Sequence, residues 1–211
     1  MLSWPFFALL DFLFSLICYI TNPIVVLFAD EYGNLPHILR WWQTYDNCLD
    51  VEWMISEDNV PDMFKYDFNK HYIYHLEDKH TEPIIPGYVE IIDPNFTIKE
   101  RIQRYFCRLA WLYRNTGYGF AYEVTGRDYE VAKIIKHVSY KVSNEDECKV
   151  YTLDDGRDFP NKTFKIYYCK PWCKWFYIRI YLGWKITEPD AKISRAMTAL
   201  YLWPFRTRKN K

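Results

Sequence analysis

Residues 1–29 contain no lysine or arginine and one acid, Asp11, and 22 of the 29 are hydrophobic. From Phe12 to Ala29 the chain runs for 18 residues without a charge. A helix across a bilayer needs about 20 mostly apolar residues, so this length and composition predict a membrane helix. A secretory leader would carry a basic start and a small-residue cleavage site, and neither is present. A buried core helix would show a polar face. Here Ser3, Asp11, Ser15 and Asn22 form only a narrow stripe. Trp4-Pro5 suits a helix entry, and Pro23 removes a donor and predicts a kink or break. Trp4, Phe6, Phe7, Phe12 and Phe14 are the expected membrane or partner contacts of this segment, and Asp11 should face protein, water or the interface.

The formal net charge of the 211-residue chain is zero, but this is a cancellation. Residues 30–96 hold 14 acids and 4 bases, and residues 97–211 hold 23 bases and 12 acids. Either the two stretches pack together or the basic part faces an anionic partner. A fifth of the residues are aromatic, which excludes a disordered chain. The organisation expected is a membrane segment at 1–29, an acidic loop-rich region at 30–96 and a basic α+β region at 97–211, the last two forming one domain. Within 30–96, short helices are expected at 36–44 and within 62–76.

Thr97-Ile98-Lys99-Glu100 is a Thr-x-x-Glu capping box. Ile98, Ile102, Tyr105, Phe106, Leu109, Leu112 and Tyr113 then recur at helical spacing, and Asn115 and Gly117 supply a stop. Arg101, Arg104 and Arg108 form a separate stripe. It reads as a solvated basic face or as a face lying on anionic headgroups. Nucleic acid is not expected, because no nucleic-acid motif accompanies the cations.

The C-terminal half predicts an antiparallel sheet of about four strands, within 131–142, 148–153, 162–169 and 174–186, packed on the 98–114 helix. Tyr177, Arg179 and Tyr181 share one parity of the last strand, giving an aromatic and basic face. A final helix is expected at 189–202, from the spacing of Ile193, Ala196, Met197, Leu200 and Tyr201. Trp203 and Phe205, followed by Arg206, Arg208 and Lys209, fit a helix end at a lipid surface.

Chemistry is thinly represented. There is no Gly-x-Ser-x-Gly, no phosphate-binding Gly-rich loop and no His-Glu-x-x-His. His71 and His75 are four apart, and Cys169 and Cys173 form a Cys-x3-Cys pair; these are weak metal candidates without a second ligand pair. No cofactor and no catalytic residue is expected. Scattered cysteines after residue 30 favour a reducing, cytoplasmic setting for the domain.

The stretches at 19–29 (YITNPIVVLFA), 34–47 (NLPHILRWWQTYDN), 109–122 (LAWLYRNTGYGFAY) and 183–186 (GWKI) together resemble a family of uncharacterised proteins of tailed bacteriophages with an apolar N-terminus. The resemblance implies a viral origin and expression in a bacterial cell, and brings no activity and no site residues. The expected function is a phage-encoded accessory protein at the host inner membrane, binding lipid or a host or phage protein. The alternatives are a virion component with a buried apolar start and a metal-dependent enzyme built on the His and Cys residues.

Overall fold

The computed structural model describes residues 3–51, 60–78, 81, 85–129, 133–141, 147–158, 161–171, 176–186 and 195–207. The fold is α+β. Two compact units are present, one of residues 13–124 and one of residues 1–12 with 125–211. Helix α1, Ser3–Val25, contributes to both.

In the helical unit, α1 continues through Pro23 without a break. Proline cannot donate to the carbonyl one turn back, that of Tyr19. The Tyr113 hydroxyl donates to that carbonyl instead, at 3.2 Å, and the Tyr105 hydroxyl donates to the Pro23 carbonyl at 2.9 Å. Thr21 Oγ1 also returns a bond to the Ile17 carbonyl. Only after Val25 does the backbone tighten into a 3-10 turn, Val26–Phe28.

The tyrosines come from α3, Ile98–Arg114, which opens with the capping box the sequence predicts. Thr97 accepts from the Glu100 amide, and the Glu100 carboxylate accepts from the Thr97 amide at 2.8 Å. The buried face of α3 carries Cys107, Trp111 and Leu112 into a cluster with Val25, Leu49, Tyr66 and Tyr72. This cluster lies wholly within the helical unit.

Between α1 and α3 the acidic stretch is held by side-chain hydrogen bonds more than by regular structure. Among the described residues its elements are 3-10 turns at His37–Leu39 and Asp62–Phe64, the single-turn α2 Phe68–His71, and strands β1 Tyr72–His75 and β2 Tyr88–Ile91, paired antiparallel. The helix expected at 36–44 stops after one turn because the Trp41 carbonyl accepts from the Phe120 amide, in α4 Tyr118–Glu123. That approach needs Gly119: a Cβ there would sit 2.5 Å from the Arg40 carbonyl oxygen. Gln43 takes the Leu35 amide and gives a bond to the Asn47 carbonyl, bracing the same loop.

Asp50 and Arg108 are 2% and 4% exposed and joined by two hydrogen bonds, Nε to Oδ1 at 2.9 Å and Nη2 to Oδ2 at 2.5 Å. Nη2 also donates to the Asp30 carbonyl. The acidic stretch and the basic helix therefore meet at a buried ion pair. Lys70–Glu100 and Arg40–Glu123 add two further pairs nearer the surface.

In the sheet unit, β4 Lys133–Lys141, β5 Glu147–Asp154, β6 Phe164–Pro171, β7 Phe176–Trp184 and β9 Thr198–Thr207 form one antiparallel sheet in that order. Two short strands, β3 Arg127–Asp128 and β8 Arg195–Ala196, pair separately. The sheet has five strands rather than about four, because the segment expected to end a helix is β9. The spacing in 193–201 satisfies a helix, but Thr198 to Trp203 also reads as an apolar run of strand length. The free edge of β7 gives that run a ladder to complete. Pro204 sits in this edge strand where the register slips between Tyr177↔Arg206 and Arg179↔Trp203, a bulge where a missing amide is tolerated.

One face of the sheet matches the expected parity. Tyr151, Tyr167, Tyr181 and Tyr201 lie in one cross-strand row. Arg179 stands over the Tyr167 ring, and Lys165 over Tyr151. Beneath Phe164 and Trp184, the first turn of α1 is fixed by Trp4, whose indole donates to the Gly183 carbonyl at 3.0 Å.

Arg108→Ala leaves Asp50 buried and unpaired, so urea unfolding should show a loss of about 3–5 kcal/mol. An Asp50→Leu, Arg108→Met double variant should lose much less than either single change.

Candidate functional site

Helix α1 has an inverted distribution of polarity. Asp11, Ser15, Thr21 and Asn22 lie on the side covered by protein, with Ala8, Phe14, Cys18 and Val25. The outward side shows Phe6, Leu9, Phe12, Leu13, Leu16, Ile17, Tyr19, Ile20 and Ile24, continued by Leu27 and Phe28 in the 3-10 turn. A helix on a water-facing surface has the opposite arrangement. The stretch Trp4–Phe28 is 25 residues long and apolar enough to cross a membrane.

The covered side is specifically built. Phe14 is enclosed by Phe120, stacked at 4.3 Å, and by Trp42 at 4.8 Å and Trp41 at 6.2 Å. Gly117 turns below Phe14 with φ of +66°, where a side chain would be strained and its Cβ would press on the ring at 3.3 Å. The Trp42 indole donates to Thr21 Oγ1. Asp11 lies in the field of Lys185 within the sheet unit.

The sequence-flagged residues therefore divide. Phe6 and Phe12 are outward; Trp4 and Phe7 are half-buried against the sheet unit, and Phe14 is buried. Leu9, Leu13, Leu16, Ile17, Ile20 and Ile24 complete the outward face, and their composition does not separate them from the rest of the segment. The segment is apolar on nearly every side, so only the narrow polar stripe could orient it, and that stripe points inward.

Of the α3 arginines, Arg108 is withdrawn from any surface role by its pair with Asp50. Arg101 is exposed, and Arg104 is half-exposed with its guanidinium 4.6 Å from the Phe96 ring centre. Trp203, Phe205 and Arg206 fall in β9, a strand and not a helix end. Arg208 and Lys209 lie outside the described residues.

The two histidines do not share a helix face, because α2 ends at His71 and β1 carries His75. His71 is fully buried, stacked on Phe96, with Nδ1 2.8 Å from the Asp93 carbonyl and Nε2 3.2 Å from Glu100 Oε1. His75 stacks on Tyr88 and meets Glu90. Cys169 is a buried free thiol in β6, and Cys173 lies outside the described residues. Among the described residues no three His, Cys, Asp or Glu side chains gather in a way that could hold a metal ion. Burial pushes the Cys48 and Cys107 thiols up to about 12, so both stay protonated at neutral pH.

The chain matches a family of unknown function, DUF7338, over residues 1–210, and it belongs to that family. No curated protein and no solved structure matches it.

Glu100 links the α3 cap to Lys70 and His71. The hydrogen bonds from Lys70 and then Thr97 hold its carboxyl well below the usual carboxylate range. A depressed acid stabilises the fold above its unfolded pKa, about 4.3 for Glu, and that stability is lost as pH falls through the folded value. The gap in melting temperature between the wild type and Glu100→Gln should therefore be full at pH 6 and shrink steadily below about pH 4.3.

Proposed function

We propose that this DUF7338 protein is a phage-encoded accessory protein that associates with the host inner membrane through the outward face of α1 and acts there by binding. The observation that carries this reading is the inverted helix: Asp11, Ser15, Thr21 and Asn22 are all on the covered side, and the outward side is apolar apart from the hydroxyl of the amphipathic Tyr19. In water such a face is unfavourable, at about 1.5–3 kcal/mol for each large side chain left exposed rather than buried. A contiguous apolar patch of this kind marks a membrane or protein interaction surface.

The seat favoured is in the plane of the interface, with the main domain on the cytoplasmic side. Although α1 is long enough to span, its covered side from Phe14 to Pro23 is bonded to the rest of the helical unit. The irregular loop at Arg40–Gln43 and the tyrosine hydroxyls of α3 lie against it. A span would bring non-helical backbone and charged side chains into hydrocarbon, where unpaired backbone groups are strongly disfavoured. An interfacial helix buries only its outer face and leaves the supporting domain in water.

Vesicle flotation of the full chain tests this reading. The wild type should float without detergent. Leu13→Glu, Leu16→Glu and Ile20→Glu combined should leave it at the bottom of the gradient with an unchanged circular dichroism spectrum. A wild-type chain that stays at the bottom and elutes as a larger oligomer would contradict membrane binding and favour packing of the face against other subunits.

A further inference from the structure

Beside the C-terminal end of α1 lies a cleft of about 350 Å³, within the size range of small-ligand sites. One wall is apolar, made by Val26, Leu27 and Ile91. The other is α3, which contributes Arg101, Arg104 and Arg108. Glu31 is the single carboxylate among the described lining residues.

The three cations are not equivalent. Arg108 is neutralised by Asp50 at the floor. Arg101 and Arg104, three apart on the same helix face, make no ion pair among the described residues. Arg104 is held in place by Phe96, also a lining residue, so its guanidinium is oriented before any ligand arrives. Two uncompensated guanidinium groups beside an apolar wall suit a phosphate with an apolar attachment, since arginine binds phosphate oxygens in pairs.

Leu27 belongs both to this wall and to the exposed apolar row, at 67% exposure. The surface taken above as lipid-facing therefore runs directly into the cleft. We propose that the cleft seats the phosphodiester of an anionic lipid headgroup, with Arg101 and Arg104 on the phosphate and Val26, Leu27 and Ile91 against the glycerol and the acyl roots. This assignment rests on the membrane reading of α1. It adds a lipid preference that an apolar face alone does not supply.

The test is flotation of the full chain on phosphatidylcholine vesicles and on vesicles containing phosphatidylglycerol. Two arginines near an anionic surface correspond to roughly a thirtyfold gain at about 1 kcal/mol each. Charge alone supplies that gain, so the wild type, with paired hydrogen bonds to one phosphate in addition, should show a clearly larger preference for the anionic vesicles. Arg101→Lys with Arg104→Lys keeps the charge and removes the paired geometry, so this variant should fall back to about that charge-only gain while still floating on neutral vesicles. Lys99→Gln, on the same helix and outside the cleft, should keep the larger preference.

A double lysine variant with full preference, or a Lys99→Gln variant that loses as much, would overturn the cleft in favour of diffuse attraction. Saturation of the full chain by micromolar inorganic phosphate would assign the cleft to a free phosphate and overturn the lipid assignment. A wild type that floats on neither vesicle overturns the membrane reading together with this one. Failure of the cleft alone differs, because neutral vesicles are then still bound.

Discussion

The buried pair of Arg108 and Asp50 fixes the arrangement on which the helical unit depends. It joins the middle of the basic helix α3 to the centre of the acidic stretch, and the third bond, to the Asp30 carbonyl, ties in the exit from α1. With α3 held at that point, residues three to seven positions away are set for different tasks. Tyr105 and Tyr113 complete the hydrogen bonding of α1 around Pro23. Arg101 and Arg104 face the cleft. A buried pair costs desolvation of both charges, so its worth lies less in net stability than in allowing one register between the two segments.

That register explains how α1 can present an apolar face outward. Aromatic rings enclose Phe14, and hydroxyls meet the backbone of the helix where proline leaves a carbonyl without its usual donor. Asp11, Ser15, Thr21 and Asn22 point into this support, which leaves the Tyr19 hydroxyl as the one polar group on the outside from Trp4 to Val25. In a soluble helix the hydrophobic effect turns apolar residues inward. The reversal found here is consistent with an outer solvent of lipid.

Much of the architecture was legible in the sequence. The apolar run gave α1, the Thr97-x-x-Glu100 box and the apolar period gave α3, and alternation gave the antiparallel sheet with its tyrosine and cation face. What was not legible depends on contacts between distant residues. Arg108 falls in the same stripe as Arg101 and Arg104, and only Asp50, 58 positions away in an irregular segment, separates its role from theirs. Residues 195–207 satisfy helix and strand patterns alike, and the open edge of β7 decides between them. The outward face of α1 was hidden because an almost uniformly apolar helix carries little information about its own orientation.

The central claim is that α1 lies in the interface with one face in lipid. The most direct measurement is the depth of nitroxide labels carried in turn at Leu13, Leu16, Ile20 and Ile24 on vesicle-bound protein, read from accessibility to oxygen and to a water-soluble nickel complex. All four should lie at one shallow depth, about 5–10 Å below the headgroup boundary. Labels that sweep through the bilayer midplane, or that remain accessible to the nickel complex, would contradict it.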